Sequence, residues 1–115
     1  MAVQLHHPDV DELELSAVLH ALSDPHRLKV VRILAEADAP RPCGSFGLAV
    51  SKSTATHHLR VLREAGVVRT EPRGTSRVSS LRRDDLDARF PGLIDVVLAQ
   101  DAAGGAAAPL ITVSA

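Results

Sequence analysis

The segment Ser51–Gly66 constrains this chain more tightly than any other stretch. Ser51 can cap a helix that runs to about Ala65, and Gly66 supplies the left-handed residue that stops it. Ala55, Leu59 and Leu62 fall at i, i+4 and i+7, which gives a buried stripe. Ser53, Thr56, His57 and Arg60 fall at i, i+3, i+4 and i+7 on another face, and no acid interrupts that row. Val67–Glu71 and Arg77–Leu81 then alternate as strands, joined across Pro72-Arg73-Gly74-Thr75-Ser76. A half-buried helix with a polar, cation-bearing face therefore feeds straight into a hairpin with Arg73 and Arg77 about its tip.

The remaining elements supply a core for that helix. Asp9 or Asp11 can cap a first helix running to about Leu22, with Val10, Leu13, Ala17 and Val18 on one stripe and Leu15, Leu19 and Leu22 on another. A helix apolar on two sides needs two partners, its own core and a second surface. Asp24-Pro25 restarts the chain into a helix over about 25–37, with Leu28, Val31, Leu34 and Ala35 inward. Residues 38–42 read as a loop, and Cys43–Val50 as brief structure at most, since Gly44 and Gly47 weaken any helix. After the hairpin, Asp84, Asp85 and Asp87 read as an acidic turn. A last helix opens at Phe90-Pro91, with Phe90, Leu93, Ile94, Val97 and Leu98 at 3–4 spacing, and Gly104-Gly105 ends it. The expected organisation is a flexible leader (1–9), one folded domain (10–103) and a disordered tail (104–115). The class is mainly α with a small β-hairpin (α+β).

Charge is distributed unevenly. Residues 1–24 carry five acids and no Lys or Arg, and residues 84–115 carry five acids against one Arg. Between them, residues 25–83 carry twelve Lys or Arg against four acids, although the whole chain nets only −1. A basic block between acidic flanks implies a local polyanion-binding surface. With two Phe and no Tyr or Trp, the chain has no stacking platform for single-stranded RNA or DNA. A single cysteine allows no intrachain disulfide and fits a reducing, cytoplasmic setting. No signal peptide or bilayer-length apolar run is present, so no membrane partner is expected.

These features together suit double-stranded DNA. Ser51, Lys52, Ser53, Thr54, Thr56 and His57 put short donors and acceptors at a helix N-terminal turn, where base edges in a major groove are within reach. Arg60, Arg73 and Arg77 then neutralise backbone phosphates without reading sequence. A basic hairpin directly after such a helix is the wing of a winged helix-turn-helix. Leu22-Ser23-Asp24-Pro25-His26-Arg27-Leu28 resembles the opening of the ArsR/SmtB-type bacterial repressors. The segment from Ser51 to Val68 is similar to that family's recognition helix and its exit into the wing. The resemblance covers roughly residues 13–98. It implies a homodimeric repressor whose first and last helices (Leu13, Leu15, Leu19, Phe90, Leu93, Ile94, Val97 and Leu98) form the dimer interface. Each subunit is then expected to read half of an inverted-repeat operator near the nucleoid.

The sequence departs from that family where metal sensing is concerned. Members that bind soft metals carry paired thiolates in the first helix of the motif, whereas Arg41–Leu48 here holds Cys43 alone. Others use Asp and His on the last helix, and Phe90–Ala103 contains Asp95 and Asp101 without a His. The remaining donors for a nickel or zinc ion are His6, His7, Asp9 and His20; the plainer alternative is an unliganded leader. Cys43 reads first as a small buried hydrophobe, and His58 as a packed or wing-supporting residue. Gly44-Ser45-Phe46-Gly47 is not a nucleophile elbow, and no phosphate loop or zinc-hydrolase motif occurs, so catalysis is not expected. Two alternatives to a plain repressor follow: a regulator that answers to a metal or a protein co-sensor, and a winged helix that docks an acidic protein.

Overall fold

The computed structural model describes residues 5–37 and 39–107, with side chains to Asp101. A 3-10 turn (Val10–Glu12) leads to α1 (Leu15–Ala21), α2 (Pro25–Ala37), β1 (Arg41–Pro42), α3 (Lys52–Glu64), β2 (Val68–Arg73), β3 (Ser76–Leu81), α4 (Arg83–Arg89) and α5 (Leu93–Ala107). The strands form one antiparallel sheet in the order β1-β3-β2. The core gathers Val18 and Ala21 from α1, Val30, Val31 and Leu34 from α2, and Leu62 from α3. Val67, Val68, Leu86 and Ile94 close it from the sheet and the C-terminal helices.

The expected first helix is broken. Leu13 is extended (φ −67°, ψ 131°), which separates the 3-10 turn from α1. Two contacts account for the break: the Leu13 carbonyl accepts from Arg89 Nε (3.0 Å), and its side chain fills the space beside Gly66. Gly66 has φ +87°, and a Cβ there would lie 2.0 Å from Leu13 Cδ2. Its lack of a side chain thus serves both the stop after α3 and the approach of Leu13.

Residues 41–42, expected in a loop, are the edge strand β1, with Arg41 opposite Ser79 and Pro42 opposite Val78. Two residues, one of them a proline and both preceded by Pro40, carry no strand periodicity, and an edge position tolerates them. The hairpin is tighter than expected, because Arg73 pairs with Ser76 and leaves only Gly74-Thr75 in the turn, Gly74 at φ +63°. Pro72 is accommodated because β2 is the opposite edge.

The acidic turn at Asp84, Asp85 and Asp87 is instead the helix α4. Asp84 and Asp85 favour its N-terminal turn, Leu86 is buried, and Arg83 pairs with Asp87 at i,i+4 (3.2 Å). Helix α5 also continues through Gly104-Gly105 to Ala107 rather than ending there, among alanines that favour helix. The rest of the expected tail, 108–115, lies outside the described residues.

The leader is attached at its end. His7 Nε2 accepts from the edge-strand N–H of Thr70 (3.0 Å), and Arg82 Nη1 donates to the Pro8 carbonyl (2.8 Å). The Asp9 N–H donates to Glu12 Oε1 (2.7 Å), closing the 3-10 turn. Residues 7–9 are therefore not free, and they cover an otherwise open sheet edge; residues 1–4 lie outside the described residues.

Candidate nucleic-acid interface

The recognition segment forms as its residue types require. Ser51 Oγ accepts from Thr54 N–H (3.2 Å) and caps α3, while also donating to Thr54 Oγ1 (2.9 Å). With Leu59, Leu62 and His58 buried, the helix turns one side inward. Lys52, Ser53, Thr56, His57 and Arg60 are all exposed. The thirteen residues of α3 give a rod about 20 Å long, comparable with the span of a major groove about 12 Å wide.

Hydrogen bonding divides the expected DNA contacts. Ser51 and Thr54 are engaged with each other in the cap, and Thr56 Oγ1 donates to the Lys52 carbonyl (2.9 Å). The Thr56 methyl group and an oxygen lone pair remain for a base edge. The side chains of Lys52, His57 and Arg60 make no hydrogen bond or ion pair among the described residues.

The basic block resolves into two populations. Arg32 pairs with Asp101 (2.9 Å), Arg82 with Asp85 (2.9 Å), and Arg83 with Asp87 and Asp95. Arg27 is buried and bonded to the carbonyls of Ala21 and His20. Lys29 and Arg41 are in no ion pair but donate to Gly47 and Ser45. By contrast, Lys52, Arg60, Arg69, Arg73 and Arg77 have neither an ion pair nor a side-chain hydrogen bond among the described residues, and all belong to α3 or the hairpin. Spacing along the chain could not separate these groups, because the acids that consume Arg32, Arg82 and Arg83 come largely from the flanking block.

Behind the exposed face is a network that the sequence only half disclosed. Asp24 Oδ1 accepts from the N–H groups of His26 (2.7 Å) and Arg27 (3.3 Å), so it caps α2 as expected. Arg27 Nη1 then meets His58 Nδ1 at 3.1 Å, and His26 stacks on His58 with ring centroids 5.3 Å apart. Burial works against the Asp24 charge, but the two N–H donors and the nearby His58 and Arg27 hold its carboxyl below the usual range. His58 is pushed below its usual value, first by burial and then by Arg27, His26 and His57, with Asp24 acting the other way.

The same network contains the one group of three metal-capable side chains among the described residues, Asp24, His26 and His58. A guanidinium only donates, so His58 Nδ1 must accept and its proton sits on Nε2, the nitrogen facing Asp24 (3.9 Å). That tautomer suits a structural network better than a metal. Within one protomer the expected donors His6, His7, Asp9 and His20 form no such group among the described residues, and His7 Nε2 already accepts from the Thr70 N–H.

The expected dimer residues also divide. Leu13 (1% exposed) and Ile94 (0%) are buried within the protomer and have no area left to give an interface. Leu15 (48%) and Leu19 (46%) are exposed on α1, and Phe90, Leu93, Val97 and Leu98 are half-buried. Val96, 60% exposed, is the most exposed large apolar side chain among the described residues and lies off the 3–4 spacing of the buried stripe.

A capped helix with a free polar face, followed by a hairpin rich in unpaired arginines, defines a winged helix-turn-helix module. A helix-turn-helix domain family matches residues 22–71. The HTH-type transcriptional regulator YceK of Bacillus subtilis (strain 168) is 32% identical over 89 residues, spanning 76% of this chain and 89% of that protein. The homodimeric winged helix-turn-helix DNA-binding domain of Mb0332 from Mycobacterium bovis, a possible ArsR-family regulator, aligns at TM-score 0.59 and 26% identity, over 79% of this chain and 82% of that one. The transcriptional repressor BigR from Xylella fastidiosa has the same fold (TM-score 0.59, 24% identity, 77% of this chain and 84% of that one). The chain belongs to the HTH-type transcriptional regulators, which are DNA-binding proteins and not enzymes, and it shares its fold with ArsR-family structures. No helix among the described residues is long and apolar enough to cross a membrane.

Proposed function

We propose that the protein is a homodimeric repressor that reads an inverted-repeat operator in the cytoplasm, one half-site per subunit. The observation that carries this is the segregation of the cations that have neither an ion pair nor a side-chain hydrogen bond among the described residues: Lys52, Arg60, Arg69, Arg73 and Arg77 all lie on α3 or the wing. In this reading Ser53, Thr56 and His57 face base edges, Lys52 and Arg60 flank them, and Arg73 and Arg77 hold the adjacent backbone. Exposed Leu15, Leu19 and Val96 support a second copy as the partner, as does the homodimeric Mb0332 domain. Selection of bound sequences from a randomised duplex pool tests the proposal. An enriched inverted repeat with half-site centres about one helical turn apart, or a multiple of it, supports the dimeric reading. Recovery of unenriched sequence at every salt concentration refutes sequence-specific recognition, and a reporter driven from the selected site separates repression from activation.

A further inference from the structure

A cavity of about 290 Å³ lies between α3 and the sheet, at the low end of the range for small-molecule sites. Its residues are graded in depth. Thr56, Arg60 and Arg77 are exposed at the rim, Arg63 and Cys43 are half-buried, and Leu59 and Thr70 are buried. The floor continues as a polar row from β2 through β3 to Cys43, the residue after β1. Thr70 Oγ1 and Ser79 Oγ lie 3.1 Å apart, and Ser79 Oγ and Cys43 Sγ 3.3 Å apart. Leu59 and Leu5 supply apolar wall.

Three guanidinium groups line this space and no acid does. Arg63 Nε is buried without a hydrogen-bond partner among the described residues, and the nearest carboxylate contact of its guanidinium is exposed Glu64 at 3.9 Å. What an acceptor in the cavity can meet is the Nη edge of Arg63 together with the guanidinium groups of Arg60 and Arg77, none of which is in a hydrogen bond among the described residues. A carboxylate matches a guanidinium fork, and the leucine wall favours an apolar body attached to it. We propose that this cavity binds a small organic carboxylate with an apolar body, held by Arg63 with Arg60 and Arg77, and that its occupancy weakens DNA binding. The weakening follows because Thr56, Arg60 and Arg77 belong both to the rim and to the proposed DNA face. By linkage, DNA must weaken the carboxylate to the same degree. Only this second half rests on the DNA-facing reading of α3.

Benzoate serves as the probe, with acetate and inorganic phosphate at matched ionic strength as controls. In nitrogen-15 correlation spectra of the DNA-free protein, benzoate is expected to shift the Arg63 Nε–H resonance saturably, together with the amides of Leu59 and Thr70. Arg63→Gln should weaken benzoate at least tenfold, and Arg77→Gln should weaken it in a background where Arg63 is intact. Absence of a saturable shift overturns the site, as does phosphate or acetate binding as tightly as benzoate. In anisotropy titrations, saturating benzoate should weaken duplex binding at least tenfold in the wild type and much less in Arg63→Gln. Benzoate binding without that weakening overturns the coupling alone. A protein that bound benzoate but no duplex would refute the DNA reading and leave the carboxylate site standing.

Discussion

Arg27 Nη1 lies 3.1 Å from His58 Nδ1, joining the first turn of α2 to the inner side of the recognition helix. The same guanidinium donates from Nε to the Ala21 carbonyl (2.7 Å) and from Nη2 to the His20 carbonyl (3.3 Å), both at the end of α1. One buried cation thus ties three helices at the point from which α3 projects its polar face. Removing it strands a buried imidazole and two carbonyls. Arg27→Met should destabilise by on the order of 2–3 kcal/mol, read as a loss of melting temperature. A variant as stable as the wild type would show that the network contributes nothing to holding α3.

The network also predicts a direction for pH. His58 is kept neutral first by burial, and His7 likewise, with Arg69, Arg63 and Arg82 adding repulsion at His7. Both folded values lie below the ordinary 6.5, so the unfolded chain takes up these protons first. Their stabilising contribution is complete above that value and is lost as pH falls through the folded ones. Asp24, whose folded value is depressed below 3.8, adds its own loss only in stronger acid. The melting temperature should therefore fall between about pH 7.5 and about pH 5.5, and the His7→Gln, His58→Gln double variant should show a flatter profile. A wild-type protein that gains stability on acidification across this window contradicts the assignment.

Gly66 offers a test of the joint between α3 and the sheet. Any side chain there meets both a positive φ of 87° and Leu13 Cδ2. Gly66→Ala should destabilise by about 1–3 kcal/mol from the forced contact alone. Pairing it with Leu13→Ala relieves the collision but not the backbone strain, so the double variant should be less destabilised than the two single losses added together. Strict additivity in chemical denaturation would show that the two residues do not meet.

How far these features were legible depends on whether they are local. The cap at Ser51, the stop at Gly66, the start at Pro25 and the polar row from Ser53 to Arg60 each follow from spacing within one turn or two, and each appears in the fold. Leu13 could not be placed because its break depends on Arg89, far along the chain. The strand at Arg41-Pro42 exists only through β3. The division of the basic block likewise rests on acids brought back by α4 and α5, and the hold on His7 rests on Thr70, 63 residues along the chain. Periodicity reports which face is apolar, but not which distant group will claim a carbonyl or a charge.

The exposed apolar residues give a prediction about assembly. Leu15, Leu19 and Val96 are between 46% and 60% exposed in the protomer, while the surrounding stripe of α5 is half-buried. Leu19→Glu should shift the sedimentation profile from dimer to monomer while leaving the protomer folded, since the residue takes no part in the core. Its operator affinity should fall steeply, because each half-site then binds alone. A dimer that survives both Leu19→Glu and Val96→Glu would place the interface elsewhere.

The face of α3 and the wing are expected to fail differently when altered, and that difference separates base reading from phosphate holding. Thr56→Ala with His57→Ala removes groups placed toward base edges, and discrimination between operator and unrelated duplex should fall by about 1–3 kcal/mol per lost base contact. Arg73→Ala lies at the hairpin tip and enters no ion pair among the described residues. It should weaken all duplexes alike and make the slope of log affinity against log salt shallower by roughly 0.9 for the phosphate released. Anisotropy titrations of operator and scrambled duplex at several salt concentrations measure both quantities. If the double variant keeps its full preference for the operator, the polar row on α3 is not the reading surface. If Arg73→Ala leaves the salt slope unchanged, the hairpin tip does not touch the backbone.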